Sequence, residues 1–156
     1  MPLTLIFTQP GDFTIDDNGI PGDNTSVIRD STGAVIFTIV HPADALTFRV
    51  STPGVNLTIN FTDTLGAADF TIGNLDPDPL IGPPQTPDSV VLKKVATTGT
   101  VTVVSNGSIT EGGADADADI IAGSLVLSAA TGVGTAANPL EIQTGLSSGE
   151  SRAPIR

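Results

Sequence analysis

Cysteine is absent from the 156-residue chain, which excludes a disulfide framework, a thiolate zinc site and a thiol nucleophile. The fold must therefore hold by burial and backbone hydrogen bonding. Tryptophan and tyrosine are absent too, methionine occurs once, and lysine is confined to Lys93 and Lys94. Few side chains are oxidisable or carry a primary amine, a bias compatible with an exposed extracellular life. Basic residues are scarce, six against seventeen acidic ones, for a net charge of −11. Such a field repels phosphate backbones and anionic headgroups, so neither nucleic acid nor a membrane surface is expected as a partner. No apolar run approaches the roughly 20 residues of a membrane span. The opening segment, residues 1–7, lacks the basic and long apolar regions of a secretory signal, so export would require this sequence to come from a longer precursor.

What is present in quantity is glycine (17), proline (12) and threonine, beside 39% hydrophobic residues and only 15% charged ones. Positive mean hydropathy and many Val, Ile and Leu residues argue for a packed core rather than disorder. Period-2 alternation of β-branched and aromatic residues with Thr, Asn or Arg predicts half-buried strands over 34–40, 46–50, 55–61 and 68–72. Further strands are expected at 89–95, 99–105 and 124–129. The intervening segments 41–44, 51–54 and 62–66 hold the proline, glycine and aspartate of turns.

Phe37, Phe48, Ile59 and Phe70 stand eleven residues apart, each followed two positions later by Ile39, Val50, Phe61 and Ile72. Strand-plus-turn units of constant length build either a meander or the rungs of a solenoid with coils of about 22 residues. The fold class expected is all-β, a β-solenoid (parallel β-helix-like) with Gly/Pro turns; the alternative is an antiparallel β-sandwich. One β domain should span 1–146, with two halves divided near a proline-rich connector at 76–87, followed by a flexible tail at 147–156.

Glu111, Asp115, Asp117 and Asp119 are the strongest chemical signal. Carboxylates at alternate positions after a glycine-led turn can converge on Ca²⁺, which takes six to eight oxygens in irregular geometry. The EF-hand pattern is missing, and a solvated acidic turn is the competing reading. Asp16, Asp17 and Asn18, with Asp23 and Asn24, form a second acidic stretch that reads as an Asx turn. No other cofactor is expected.

Two motif matches fail on context. Gly132-Val133-Gly134 with Ala137 fits a dinucleotide loop, but Pro139 blocks the helix such a loop must open, so a glycine turn between rungs is expected instead. Gly145-Leu146-Ser147-Ser148-Gly149 fits a nucleophile elbow, yet the single histidine, His41, lies far upstream. His41 is expected in a turn. Glycan cleavage by clustered acids is disfavoured by the absence of Trp and Tyr platforms, and no enzymatic activity is expected. Sequons at Asn24, Asn56, Asn60 and Asn106 are of the kind that arise by chance in Thr/Asn-rich strands.

Residues 99–110, ending Gly107-Ser108-Ile109-Thr110, lead into 118–134, with Asp119-Ile120-Ile121-Ala122, Leu125-Val126-Leu127 and Gly132-Val133-Gly134. The run closes on Asn138-Pro139-Leu140. In this order the segment resembles a filamentous-haemagglutinin-type repeat of large bacterial surface adhesins. Residues 39–48, 57–60 and 70–75 are similar to modules found beside such repeats in giant secreted proteins. The resemblance implies a β-solenoid, a secreted or cell-surface setting, and a structural or adhesive role without catalysis. The implied partners are neighbouring repeats or copies of the chain itself, stacked or joined through strand edges, and host or matrix glycans or proteins.

Overall fold

The computed structural model describes residues 1–74, 86–113 and 117–144, together with the backbone of 152–155. Among them the protein is all-β: no helix occurs, and the strands form one parallel and one mixed sheet that do not close into a barrel. The N-terminal half supplies β1 (Leu3–Phe7), β2 (Gly11–Asp17), β3 (Thr25–Arg29), β4 (Val35–Val40), β5 (Ala45–Val50), β6 (Val55–Asn60) and β7 (Asp69–Ile72). Beyond residue 85 come β8 (Ser89–Ala96), β9 (Thr100–Ser105), β10 (Ser108–Glu111), β11 (Ile120–Ala122), β12 (Ser124–Ala129), β13 (Gly132–Val133), β14 (Leu140–Thr144) and β15 (Arg152–Ile155).

One sheet has the order β1-β5-β7-β9-β12 and is parallel throughout. The other runs β15-β14-β11-β8-β6-β2-β3-β4, with β10 beside β8 and β13 beside β10. From β5 to β9 the chain visits the two sheets in turn, so each parallel pair is connected through a strand of the opposite sheet. Parallel strands need a crossover of this length. The register returns after 24 residues from Leu46 to Phe70, and again after 24 from Val101 to Leu125. Between β11 and β14 it returns after 22, from Ile120 to Ile142.

Alternation decides which side chains enter the core. In β5 and β6, Leu46, Phe48, Val50, Val55, Leu57 and Ile59 are buried while their neighbours are half-exposed. Phe61 lies at the centre of an aromatic cluster, 5.2 Å from Phe70, 6.3 Å from Phe48 and 5.4 Å from the His41 ring. On the outer side, Thr4, Thr47, Thr71 and Thr102 are successive register partners. In the other sheet Asn56 donates to Asp12 Oδ1 (2.8 Å) and accepts from Ser89 Oγ (2.7 Å), so polar side chains also bridge strand to strand.

The eleven-residue positions Phe48, Ile59 and Phe70 are fully buried, whereas Phe37, in register with the buried Ile28, is 47% exposed in β4. The cause is topological. β3 and β4 extend the sheet antiparallel beyond β2, β4 is its terminal strand, and Phe37 borders an open groove shared with Leu5, Ile6 and Phe7 of β1. The connector expected at 76–87 lies largely outside the described residues. Its end is packed: Thr86 is buried, and Asn106 Nδ2 donates to the Thr86 carbonyl at 3.1 Å. Both sheets have pairs that join strands from either side of it, β6 with β8 and β7 with β9. In the stretch expected as a flexible tail, residues 152–155 form β15, antiparallel to β14. The outer edge of β14 offers backbone partners that no local pattern in the tail announces.

Candidate functional site

Three carboxylates converge in the C-terminal part of the fold. Glu111 ends β10, Asp119 immediately precedes β11, and Glu141 is the second residue of β14. Each offers an oxygen within 4.8 Å of the other two. Backbone hydrogen bonds fix the arrangement. Asp119 N–H donates to the Glu141 carbonyl (2.9 Å), Glu141 N–H donates to Asp119 Oδ2 (2.9 Å), and Val95 N–H donates to the Asp119 carbonyl (2.8 Å). Glu111 is held by the β10–β8 register opposite Leu92, and Gly112 N–H continues that ladder to the Leu92 carbonyl (2.8 Å). Asn138 Nδ2 donates to the Gly113 carbonyl at 3.0 Å, tying down the start of the acidic loop.

Burial governs the electrostatics. Asp119 is 2% exposed and Glu111 7%. Loss of solvation pushes the Asp119 carboxyl up to about 7, and the negative charges of Glu111 and Glu141 push the same way, against the lowering effect of the Glu141 N–H. Glu141 Oε2 is buried and accepts no hydrogen bond. Carboxylates this close repel one another, and a proton on Asp119 or a hard cation among the three would relieve that repulsion; an all-oxygen donor set suits Ca²⁺ or Mg²⁺.

The structure thus brings together two of the four acids expected from the acidic run, Glu111 and Asp119. Asp117 is exposed and stands outside the triad, and Asp115 lies outside the described residues. Glu141 was missed because it is a single acid between Leu140 and Ile142, indistinguishable from any solvated strand residue. The signal that finds it is the 22-residue register between β11 and β14, which carries Asp119 to Glu141.

The second acidic stretch forms turns. Asp17 Oδ1 accepts from Gly19 N–H (2.6 Å) and Ile20 N–H (3.1 Å), and Thr62 Oγ1 donates to Asp17 Oδ2. Asp63 accepts from Gly22 N–H (2.7 Å) and Asn24 N–H (2.9 Å), an attachment across 39 to 41 residues that no local motif announces. Gly134, in the segment read as a glycine turn, has φ +64° and donates to the Ile109 carbonyl at 2.8 Å. Residues 145–149, the nucleophile-elbow match, lie outside the described residues.

His41 follows β4 and has more structure around it than a turn residue needs. Its Nε2 lies 2.8 Å from Ser26 Oγ, its Nδ1 lies 3.4 Å from the Thr64 carbonyl, and burial holds its pKa below the usual histidine value. A cavity of about 410 Å³ adjoins it, lined by Asn24, Pro42, Thr64 and Leu65 among others. Ser26 is only 2% exposed, so an acyl substrate has no route to its hydroxyl, and the pair serves as a hydrogen-bonded polar contact beneath the β3–β4 hairpin.

Comparison with protein-family models, with curated proteins and with solved structures found no match. No helix among the described residues is long and apolar enough to cross a membrane.

Proposed function

We propose that this chain is a non-catalytic structural module, a β-solenoid segment of a bacterial cell-surface or extracellular fibre protein that stacks on neighbouring repeats or on copies of itself through strand edges. The observation that carries the reading is the alternating visit of the chain to two ladders, in which ten of the thirteen strand pairings are parallel. Rungs of this kind bury Ile, Val, Leu and Phe inside and leave Thr, Ser, Asn and Asp outside, and they give one module its stability through contacts with the next. An extracellular setting accords with the missing cysteine and the acidic, lysine-poor surface. An adhesive surface for glycans or proteins belongs to the same reading, on the exposed outer ranks of the rungs.

Nitroxide labels on a Thr71→Cys, Thr102→Cys double variant test the rung geometry in a background free of other thiols. Register partners in adjacent parallel strands are about 5 Å apart, so strong dipolar broadening is expected; unbroadened spectra would overturn the solenoid. Labelling of intact source cells with an antibody to the chain tests the location, and signal only after lysis would count against a surface role.

The second reading, a calcium-dependent extracellular binding module, is favoured by the Glu111–Asp119–Glu141 triad and the buried Glu141 Oε2 without a hydrogen-bond donor. Calcium there would tie together β10, β11 and β14 and stiffen the C-terminal rungs.

A further inference from the structure

Among the described residues, four of the exposed large apolar side chains lie on one strand, β4. Val35, Ile36, Phe37 and Val40 of β4 are 49%, 51%, 47% and 70% exposed, and Ile6 of β1 is 58% exposed. An irregularity in the β3–β4 register, in which Ile28 pairs Phe37 and Arg29 pairs Val35, leaves Ile36 as an extra residue. Such a bulge turns two successive side chains the same way. Ile36 and Phe37 accordingly line a groove of about 320 Å³ with Leu5, Ile6, Phe7 and Phe13. No ionisable residue lines this groove, and none occurs in residues 35–40, although the chain carries a net charge of −11.

β4 is also the terminal strand of its sheet, and no described strand pairs with its outer side. At the opposite end of the same sheet, β15 contains Arg152 and Pro154, residues that discourage the addition of another strand. β4 has neither proline, glycine nor charge. We propose that this edge is a homodimer interface, in which β4 of a second copy adds antiparallel to β4 across a two-fold axis. The proposal rests on the structural-module reading and specifies which strand edge self-associates.

Three observations select a second copy as the occupant. The sheet alternates antiparallel through β2, β3 and β4, so its natural continuation is antiparallel, which a two-fold axis supplies automatically. The second copy brings an uncharged strand to an uncharged edge, so no unpaired charge is buried. It also brings a second Ile36 and Phe37 to cover the groove. At β1 and β12, by contrast, the neighbouring strands run parallel, so an antiparallel copy there would break the pattern of its sheet.

Sedimentation equilibrium from micromolar to near-millimolar concentration should show a twofold rise in mass. Because two chains of like net charge approach each other, added salt should strengthen the dimer. Val40→Lys and, separately, Ile36→Lys should return the mass to one chain, with far-UV circular dichroism showing that each variant retains the β fold. A nitroxide on Thr38→Cys, near the middle of the strand, should show intermolecular broadening that vanishes on dilution with unlabelled protein. A mass of one chain at every concentration, a dimer indifferent to both lysines, or a mass that grows past two would each overturn the proposal. The intramolecular Thr71–Thr102 measurement is made on dilute protein, so failure of the solenoid reading is seen separately from failure of this interface.

Discussion

Asp119 and Glu141, 22 residues apart, exchange reciprocal hydrogen bonds: Glu141 N–H donates to Asp119 Oδ2 at 2.9 Å, and Asp119 N–H donates to the Glu141 carbonyl at 2.9 Å. The bond to Oδ2 favours the charged carboxylate, but one donor does not offset burial beside two further acids.

The pH dependence follows from that balance. With its folded pKa raised to about 7 from an ordinary aspartate value, Asp119 keeps its proton in the native state at pH values where the unfolded chain has lost it. Stability should therefore fall as pH rises from about 4 to 7 and level off above. Asp119→Asn, which retains the acceptor for Glu141 N–H, should flatten the profile and raise the urea midpoint at pH 8. A profile unchanged by the substitution would show that Asp119 is ionised throughout.

Calcium should compete with that proton. At pH 8 excess calcium should raise the thermal midpoint by several degrees relative to chelator, with a smaller shift at pH 5, because a ligand that prefers the native state stabilises it in proportion to its saturation. Glu141→Gln should abolish the difference, whereas Asp117→Asn should leave it intact. Identical midpoints with calcium and chelator at both pH values would leave the triad as a proton-holding structural cluster.

His41 acts in the opposite direction. Its folded pKa lies below the unfolded value, so the unfolded chain takes up the proton first and stability is lost as pH falls below about 6.5. His41→Gln, measured in the Asp119→Asn background, should remove this acid-side loss. Persistence of the loss in the double variant would assign it to another group.

Truncating the aromatic centre should be severe. Phe61 is fully buried and touches Phe48, Phe70 and His41, so Phe61→Ala should cost about 3–5 kcal/mol in chemical denaturation. Phe37→Ala, at the exposed end of the same eleven-residue series, should cost far less in dilute protein. Equal losses would mean that Phe37 is covered in solution at the concentration used.

A backbone approach gives a sharper test. A methyl group at Gly123 would collide with the Thr98 carbonyl oxygen, and Gly123 N–H already donates to the Gly99 carbonyl at 2.9 Å. Backbone cannot swing aside as a side chain can, so Gly123→Ala should destabilise by about 1–3 kcal/mol. Gly19→Ala, with open space around it, loses only the comfort of its positive φ.

Much of the secondary structure was legible because alternation is a local property. Leu46-Thr47-Phe48-Arg49-Val50 and Val55-Asn56-Leu57-Thr58-Ile59 state their buried faces residue by residue, and the structure buries those faces. β1, β2, β3, β10, β11, β13, β14 and β15 were not among the expected strands. Thr25-Ser26-Val27-Ile28-Arg29 has three successive buried residues in place of alternation, and the first of its inward positions is the polar Ser26, which meets His41. β15 forms only because β14 presents an edge to it.

By itself the sequence determined the all-β class, the inward phase of Phe48, Ile59 and Phe70, and the presence of Glu111 and Asp119 in one acidic run, since each depends on residues a few positions apart. Only the tertiary structure decided the rest. Pairing 15 to 44 residues along the chain places Glu141 beside Asp119, Ser26 beside His41, and Asp63 under the turn at Gly22–Asn24. It also leaves Phe37 uncovered while its equivalents are buried. Register between distant strands is set by the whole core packing at once, and a window of local pattern carries no trace of it.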